Sequence, residues 1–234
     1  GMRIVRDRES LPEAVASARR EASSAFGDGT VFCERYVERA RHIEVQLIAD
    51  THGNVVTLGE RECSIQRRHQ KLVEESPSAA LTPESREAME AAAERACRAV
   101  GYRNAGTFEF LLGPDGSFYF IELNARLQVE HPVTELCTGI DLVKEQLHVA
   151  AGEELSVKGR APRRGHAIEI RLNAEDPEHD FRPSPGRVAR FAPAQGPGVR
   201  VDTFIESGST INPFYDSMVA KLIVWDADRP SAIA

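Results

Sequence analysis

The sequence predicts an α+β fold, and three observations carry that expectation. Short runs alternate apolar and polar residues with a period of two, three longer segments carry helix start and stop signals, and Gly113-Pro114-Asp115-Gly116 sits between two β-rich runs as a hairpin turn. The Arg/Pro/Gly-rich residues 159–165 separate helix-bearing sequence from a region of short strands and turns, and so mark a domain boundary.

Taken in order, Ser10-Leu11-Pro12-Glu13 reads as a capping box, in which the Ser hydroxyl and the Glu carboxylate satisfy each other's orphan backbone donors, and opens a helix ending near Gly27. Residues 31–34 read as a short strand and 43–47 as a half-buried one, which residues 50–54 turn back into a strand at 55–58. Residues 60–71 read as a short irregular run. Thr82-Pro83-Glu84 starts a second helix with a Thr cap and Pro at its first position, and Gly101 closes it; the alanine-rich body suits close packing on a sheet. Strands at 106–112 and 117–123 flank the hairpin turn, and a third helix runs from about 140 to 151. Beyond residue 165, strands are expected at 166–173, 187–191, 199–203 and 219–225. The chain reads as cut at both ends: residues 229–234 begin a helix without running on, and no Gly-rich phosphate loop precedes the first helix.

The 234 residues suffice to bury a real core, and 41% hydrophobic with 28% charged residues is the ordinary globular balance. A net charge of -7 argues against a dedicated nucleic-acid binder. No run approaches the roughly 18 apolar residues of a membrane span and no signal-peptide core is visible, so a cytoplasmic protein is expected. Cys33, Cys63, Cys97 and Cys137 form no CxxC pair and are expected as buried, reduced thiols.

Closing the hairpin with residues 114–117 as its loop sets Glu109 opposite Glu122 and Leu111 opposite Phe120. Phe108, Phe110, Leu112, Tyr119, Ile121 and Leu123 then form the core face. Two like charges facing across a ladder repel unless a cation lies between them. Continued extension would bring Asn124, Arg126, Gln128 and Glu130 to the same side, a hard-oxygen set that suits Mg²⁺ or Mn²⁺. A polar outer face whose glutamates pair with Arg126 or surface lysines would show the same period. Residues 60–71 gather four cationic side chains and a histidine, which fits a phosphate or carbonate site and equally a solvated basic loop. Arg171 shares its strand face with Glu169 and Asn173, a pattern common to structural ion pairs.

Five runs together are more specific. Arg41-His42-Ile43-Glu44-Val45-Gln46, the whole of residues 60–71, Phe108-Glu109-Phe110, residues 121–132 (Ile121-Glu122-Leu123-Asn124 through Val129-Glu130-His131-Pro132) and Arg171-Leu172-Asn173-Ala174-Glu175-Asp176-Pro177 closely resemble the biotin carboxylase component of biotin-dependent carboxylases of the acetyl- or propionyl-CoA type. Other ATP-grasp ligases, such as the carbamoyl phosphate synthetase large subunit, share the two glutamates and the asparagine. They share neither the Arg67-Arg68-His69-Gln70-Lys71 run nor the Arg171 strand.

The resemblance implies the C-terminal portion of an ATP-grasp fold followed by a partial, β-rich biotin carboxylase C-terminal domain. Residues 1–36 would be the remnant of a lid subdomain, 37–160 the catalytic subdomain and 161–234 the C-terminal domain. The implied reaction is ATP-dependent carboxylation of biotin on a carrier domain by bicarbonate, through carboxyphosphate. Glu34 and the backbone of Arg35, Tyr36 and Val37 would frame adenine, and His42, Gln66, His69 and Leu111 would contact the nucleotide. Glu109, Glu122 and Asn124 would hold Mg²⁺ or Mn²⁺ against the phosphates of ATP. Lys71, Arg126, Gln128 and Val129 would bind bicarbonate, Glu130 would be its general base, and Arg171 would stabilise the biotin enolate. Implied partners are a biotin carboxyl carrier domain, a carboxyltransferase subunit or domain and a second copy in a homodimer, with neither nucleic acid nor membrane.

The family also carries an N-terminal domain and a Gly-rich lid loop upstream. Here only Gly1-Met2 resemble that loop's end, and Gly1 also reads as a tag remnant before an initiator Met2. Weak ATP binding is expected without the loop's backbone donors. Two other readings are a non-catalytic folding or dimerisation module that inherited these residues, and another ATP-grasp carboxylate-amine ligase.

Overall fold

The computed structural model describes residues 2–234. Gly1 lies outside them, and with it half of the expected loop remnant. The chain forms two compact units, one ending at Arg39 and the other spanning Ala40–Ala234.

In the first unit, α1 (Leu11–Phe26) ends on Gly27 in the left-handed conformation, whose N–H closes onto the Ser23 carbonyl at 3.0 Å. The expected capping box does not form. Ser10 is itself helical (φ -77, ψ -14), whereas a capping side chain needs an extended backbone, and its hydroxyl turns back to the Asp7 carbonyl at 3.2 Å. Residues 31–34 pair with no strand, so the short strand expected there is absent.

The second unit is built on an eight-stranded antiparallel sheet. Its chain order is β1 (Arg41–Ala49), β2 (Val55–Arg67), β3 (Gln70–Ser76), α2 (Pro83–Ala99), β4 (Asn104–Leu112), β5 (Phe118–Asn124), α3 (His131–Thr138), α4 (Leu142–Ala150) and β6 (His166–Asn173). Short β7 (Glu175–Asp176), β8 (Arg182–Pro183) and β9 (Gly186–Arg187) follow, then β10 (Val199–Thr203), β11 (Thr210–Ile211), β12 (Met218–Asp226) and α5 (Arg229–Ile233). The large sheet runs β10-β12-β6-β3-β2-β1-β4-β5, while β7 with β8 and β9 with β11 make two small pairs. Of the strand expected at 187–191, only Arg187 lies in a strand, with Val188 bonded through its backbone to Gly208 and Ser209.

Alternation along β1 distributes the core. Ile43, Val45 and Leu47 pack with Phe108 and Phe110 of β4 against Met89, Ala93 and Cys97 of α2, whose small side chains admit close approach. Ile48 looks to the opposite face, with Val56, Leu58 and Ala105, against Leu142 and Val149 of α4. Beside it, Val133 and Cys137 of α3 meet Ala167 of β6 and Ile223 of β12. Each large apolar side chain withdrawn from water in this way contributes about 1.5–3 kcal/mol. β1 is thus covered on both faces rather than half-buried, and Glu44 and Gln46 lie at 0% exposure.

The Thr82 hydroxyl accepts the Ser85 N–H at 3.2 Å, as its cap pattern implies. Thr82→Ala is expected to lower stability by about 1 kcal/mol, measured by urea unfolding. Among the described residues no helix is long and apolar enough to cross a membrane. Cys63, Cys97 and Cys137 are buried free thiols, but Cys33 is exposed, because the segment expected to bury it as a strand is unpaired.

Candidate active site

Residues 60–71 are no irregular run. They continue β2, turn in two residues and enter β3, with Arg68 (φ 53) and His69 (φ 65) both left-handed at the turn. The basic residues there have separate partners. Arg67 pairs with Glu175 and lies 4.0 Å over the Phe181 ring, and Arg68 pairs with Asp180. Arg61, at 0% exposure, points into the sheet's other face, where its Nε donates to Glu44 Oε1 at 2.5 Å and its Nη1 to Gln46 Oε1 at 2.7 Å and Thr134 Oγ1 at 2.9 Å. Its Nη2 reaches Gln128 Oε1 at 3.2 Å and Thr107 Oγ1 at 3.3 Å. One guanidinium therefore ties β1, β2, β4 and α3 around a charge that α3 seals from water.

Lys71 rises beside it and joins three carboxylates. Its Nζ donates to Glu44 Oε2 at 2.6 Å, Glu130 Oε1 at 2.6 Å and Glu109 Oε1 at 3.0 Å. Burial works against each charge, yet Arg61 and Lys71 hold Glu44 at about 2, and Glu44 leads in keeping Lys71 above its ordinary range. Glu109 is likewise buried and held at about 2, by His42 Nε2 at 3.0 Å and by Lys71. The Cys63 thiol, pushed up by burial and by Glu44, stays neutral beneath them.

Glu130, 2% exposed, sits just before α3 without bonding its backbone and takes Arg171 Nη2 on its second oxygen at 3.0 Å, opposite Lys71 on the first. Arg171 also donates from Nε to Glu74 Oε1 at 2.7 Å. Its partners come from β3 and α3 rather than from Glu169 and Asn173 on its own strand.

The β4–β5 hairpin does set Glu109 opposite Glu122, but Leu111 faces Tyr119 and not Phe120. The turn is one residue tighter than expected, closing Gly113 N–H on the Ser117 carbonyl at 2.7 Å with Gly116 at φ +80, and a bulge past Glu109 restores the register. As a result Phe118 and Phe120, not Tyr119 and Ile121, stack against Phe108 and Phe110. Extension ends at Asn124, so Gln128 and Glu130 reach the site on a turn leading into α3, and Gln128 Nε2 donates to Glu109 Oε1 at 2.8 Å. Glu122 is exposed and accepts from Asn124 Nδ2 at 3.0 Å, and Arg126 Nη2 donates to Asn124 Oδ1 at 3.2 Å. Glu109, Glu122 and Asn124 offer oxygen donors only, the chemistry a hard divalent cation takes.

His42 faces Leu111 across β1–β4, Gln66 donates to the Cys63 carbonyl at 2.8 Å, and His69 is exposed at the hairpin tip. Val129 lends its carbonyl to Lys221 Nζ. Glu34, Arg35, Tyr36 and Val37 lie in the segment of the first unit that follows α1. Glu44, Glu74 and Lys221 belong to the cluster although no sequence pattern assigns them a role, and Arg61, counted among the four cations of residues 60–71, turns inward to Glu44. The one available signal was the pair Glu44 and Gln46, polar residues on a strand that another element covers.

Residues 1–158 match the family described as carbamoyl-phosphate synthase L chain, ATP binding domain, and residues 169–234 the biotin carboxylase C-terminal domain. Over 234 residues the chain is 53% identical to a biotin carboxylase of Nostoc sp. and 52% identical to a biotin carboxylase of Haemophilus influenzae. Each alignment covers 100% of the chain but 52% of the relative, so the chain spans about half their length. It also resembles the biotin carboxylase domain dimer of Hydrogenobacter thermophilus 2-oxoglutarate carboxylase, solved with MgADP, ADP and bicarbonate, at a TM-score of 0.93 and 48% identity over 99% of this chain and 51% of that one.

Proposed function

The chain belongs to the biotin carboxylase family, and on that footing we propose that its site serves the ATP-dependent carboxylation of carrier-bound biotin by bicarbonate. The fold is accordingly the ATP-grasp fold joined to a biotin carboxylase C-terminal domain. The observation that carries the proposal is the convergence of Lys71 and Arg171 on the two oxygens of Glu130, beside Gln128 and the facing pair Glu109 and Glu122. Two cations around one buried carboxylate are the charges that would suit a small anion with a proton to lose.

Lys71, Arg126, Gln128 and Val129 would receive bicarbonate, and Glu130 would take its proton as the oxygen attacks the γ-phosphorus and ADP leaves. Arg126 would neutralise charge building on the carboxyphosphate. Breakdown gives CO₂ and a phosphate that removes the N1 proton of biotin. Arg171, charged at any working pH and offering parallel donors, would stabilise the ureido enolate that attacks CO₂. Glu109, Glu122 and Asn124 would hold a magnesium or manganese ion, whose contribution is to offset the charge of the ATP phosphates. His42, Gln66, His69 and Leu111 are assigned to the nucleotide, and Glu34 with the backbone of Arg35, Tyr36 and Val37 to adenine.

In this reading residues 1–36 belong to a lid subdomain, 37–160 to the catalytic subdomain and 161–234 to the C-terminal domain. The partners are a biotin carboxyl carrier domain, a carboxyltransferase and a second copy of the chain. The test is phosphate release from MgATP with and without bicarbonate and free biotin. Turnover stimulated by both, and reduced about 10²–10⁴-fold in Glu130→Gln, is expected; turnover indifferent to biotin would move the chain to another ATP-grasp ligase reaction.

A further inference from the structure

Behind Arg171 lies a pair of carboxyls that the reaction above does not use. Glu74 of β3 and Glu169 of β6 are cross-strand partners, both at 0% exposure. Side chains directly opposite in an antiparallel pair stand about 5 Å apart at Cβ, on one face. Neither oxygen of Glu169 has a hydrogen-bond partner, and Glu74 Oε2 has none either, while Glu74 Oε1 holds Arg171 Nε at 2.7 Å.

Lys221 and Arg171 favour an ionised Glu169 by their charge, but both are hydrogen-bonded elsewhere and neither bonds its oxygens. From β6, Arg171 is spent on Glu74 and Glu130; from β12, Lys221 is bound to the Val129 carbonyl and lies 3.6 Å from Asp202. From α3 and β1, Glu130 and Glu44 add negative charge. Two buried carboxylates facing each other cannot both stay ionised, but one proton between them satisfies the acid's hydrogen and the free oxygen of its partner together.

We propose that Glu74 and Glu169 form an acid pair sharing one proton, with Glu169 the protonated member, and that this pair is a positioning device that holds Arg171 toward Glu130. Glu74 then bonds Arg171 as an anion while Glu169 braces Glu74 from behind, so losing the proton would add a negative charge that draws Arg171 off Glu130. The meaning of that orientation for biotin rests on the function proposed above. Burial pushes Glu74 up to about 7 against the pull of Arg171, and Glu169 up to about 9 against Lys221 and Arg171, with Glu74 and Glu130 adding to the Glu169 shift, so the pair gives up its last proton in the alkaline range.

The test uses the whole chain and two readouts that need no turnover. Infrared spectroscopy at neutral pH should show a protonated-carboxyl band that disappears near pH 9, and ¹⁵N NMR should show the Arg171 Nε–H resonance moving with the same midpoint, about 9. In Glu169→Gln, a neutral isostere of the acid, the band that disappears near pH 9 is lost and the Arg171 resonance no longer moves with that midpoint. In Glu74→Gln, which removes the like charge, the midpoint falls. No protonated carboxyl at neutral pH in the native chain, or an Arg171 titration unchanged in both variants, would overturn the acid pair. A failed turnover assay would overturn the proposed reaction and leave these spectra as they are.

Discussion

Replacing Arg61 with methionine is expected to destabilise the Ala40–Ala234 unit by about 3–5 kcal/mol, among the largest single effects available in this chain. The side chain is fully buried and donates to Glu44, Gln46, Thr107, Gln128 and Thr134, so its loss leaves a buried carboxylate short of a cation and four polar groups short of a donor. For a chain of this length the fall in Tm should be on the order of 10 °C. Adding Glu44→Gln to Arg61→Met should recover part of the loss, because the double variant no longer buries the charge that the single one strands. A single variant within about 1 kcal/mol of the native chain would show that the network does not hold the sheet to α3.

Lys71→Met is expected to have its largest effect on chemistry and a distinctive effect on stability. It takes one cation from Glu44, Glu109 and Glu130 at once, leaving Glu44 with Arg61 and Glu130 with Arg171, and removing such a preorganised donor costs about 10²–10³ in kcat. The pH dependence follows from the direction of the shifts. Glu44 and Glu109, held at about 2 in the fold against an ordinary value of 4.5, contribute stability above pH 4.5 that is lost as pH falls toward 2. Protonation costs the native chain its ion pairs but relieves repulsion in the variant. The deficit of Lys71→Met, read from urea unfolding across pH, should therefore be largest near neutrality and shrink through pH 4. A deficit that grows on acidification would contradict the bridging role of Lys71.

Much of this arrangement is legible in the sequence where local chemistry decides it. The Thr82 cap, the 199–203 strand and the facing of Glu109 with Glu122 follow from cap, period and turn signals. The hairpin registers differently past Glu109 because a turn one residue tighter and a bulge cancel each other over the glutamates and show from Phe118 to Phe120. The turn at Arg68 and His69 carries no glycine to announce its left-handed backbone, so a hairpin read as a loop. α3 had its signals, Pro132 at the start and Gly139 left-handed at the end, but extrapolating the strand's period from Glu122 ran over them. That omission hid the rest of the site, since α3 supplies Thr134 to Arg61, which in turn holds Glu44 and Gln46. Glu74 and Glu169 meet only through a strand pairing between residues far apart in sequence, which no local pattern encodes.

The most direct test of the proposed reaction follows carbon rather than phosphate. The chain is incubated with MgATP, ¹³C-labelled bicarbonate and free biotin, and label on the ureido nitrogen of biotin is measured by NMR beside Glu130→Gln and Arg171→Met. Label that requires ATP, vanishes in Glu130→Gln and falls sharply in Arg171→Met is the predicted result. ATP cleavage with no label in biotin, or labelling that both variants retain, would contradict the proposed reaction.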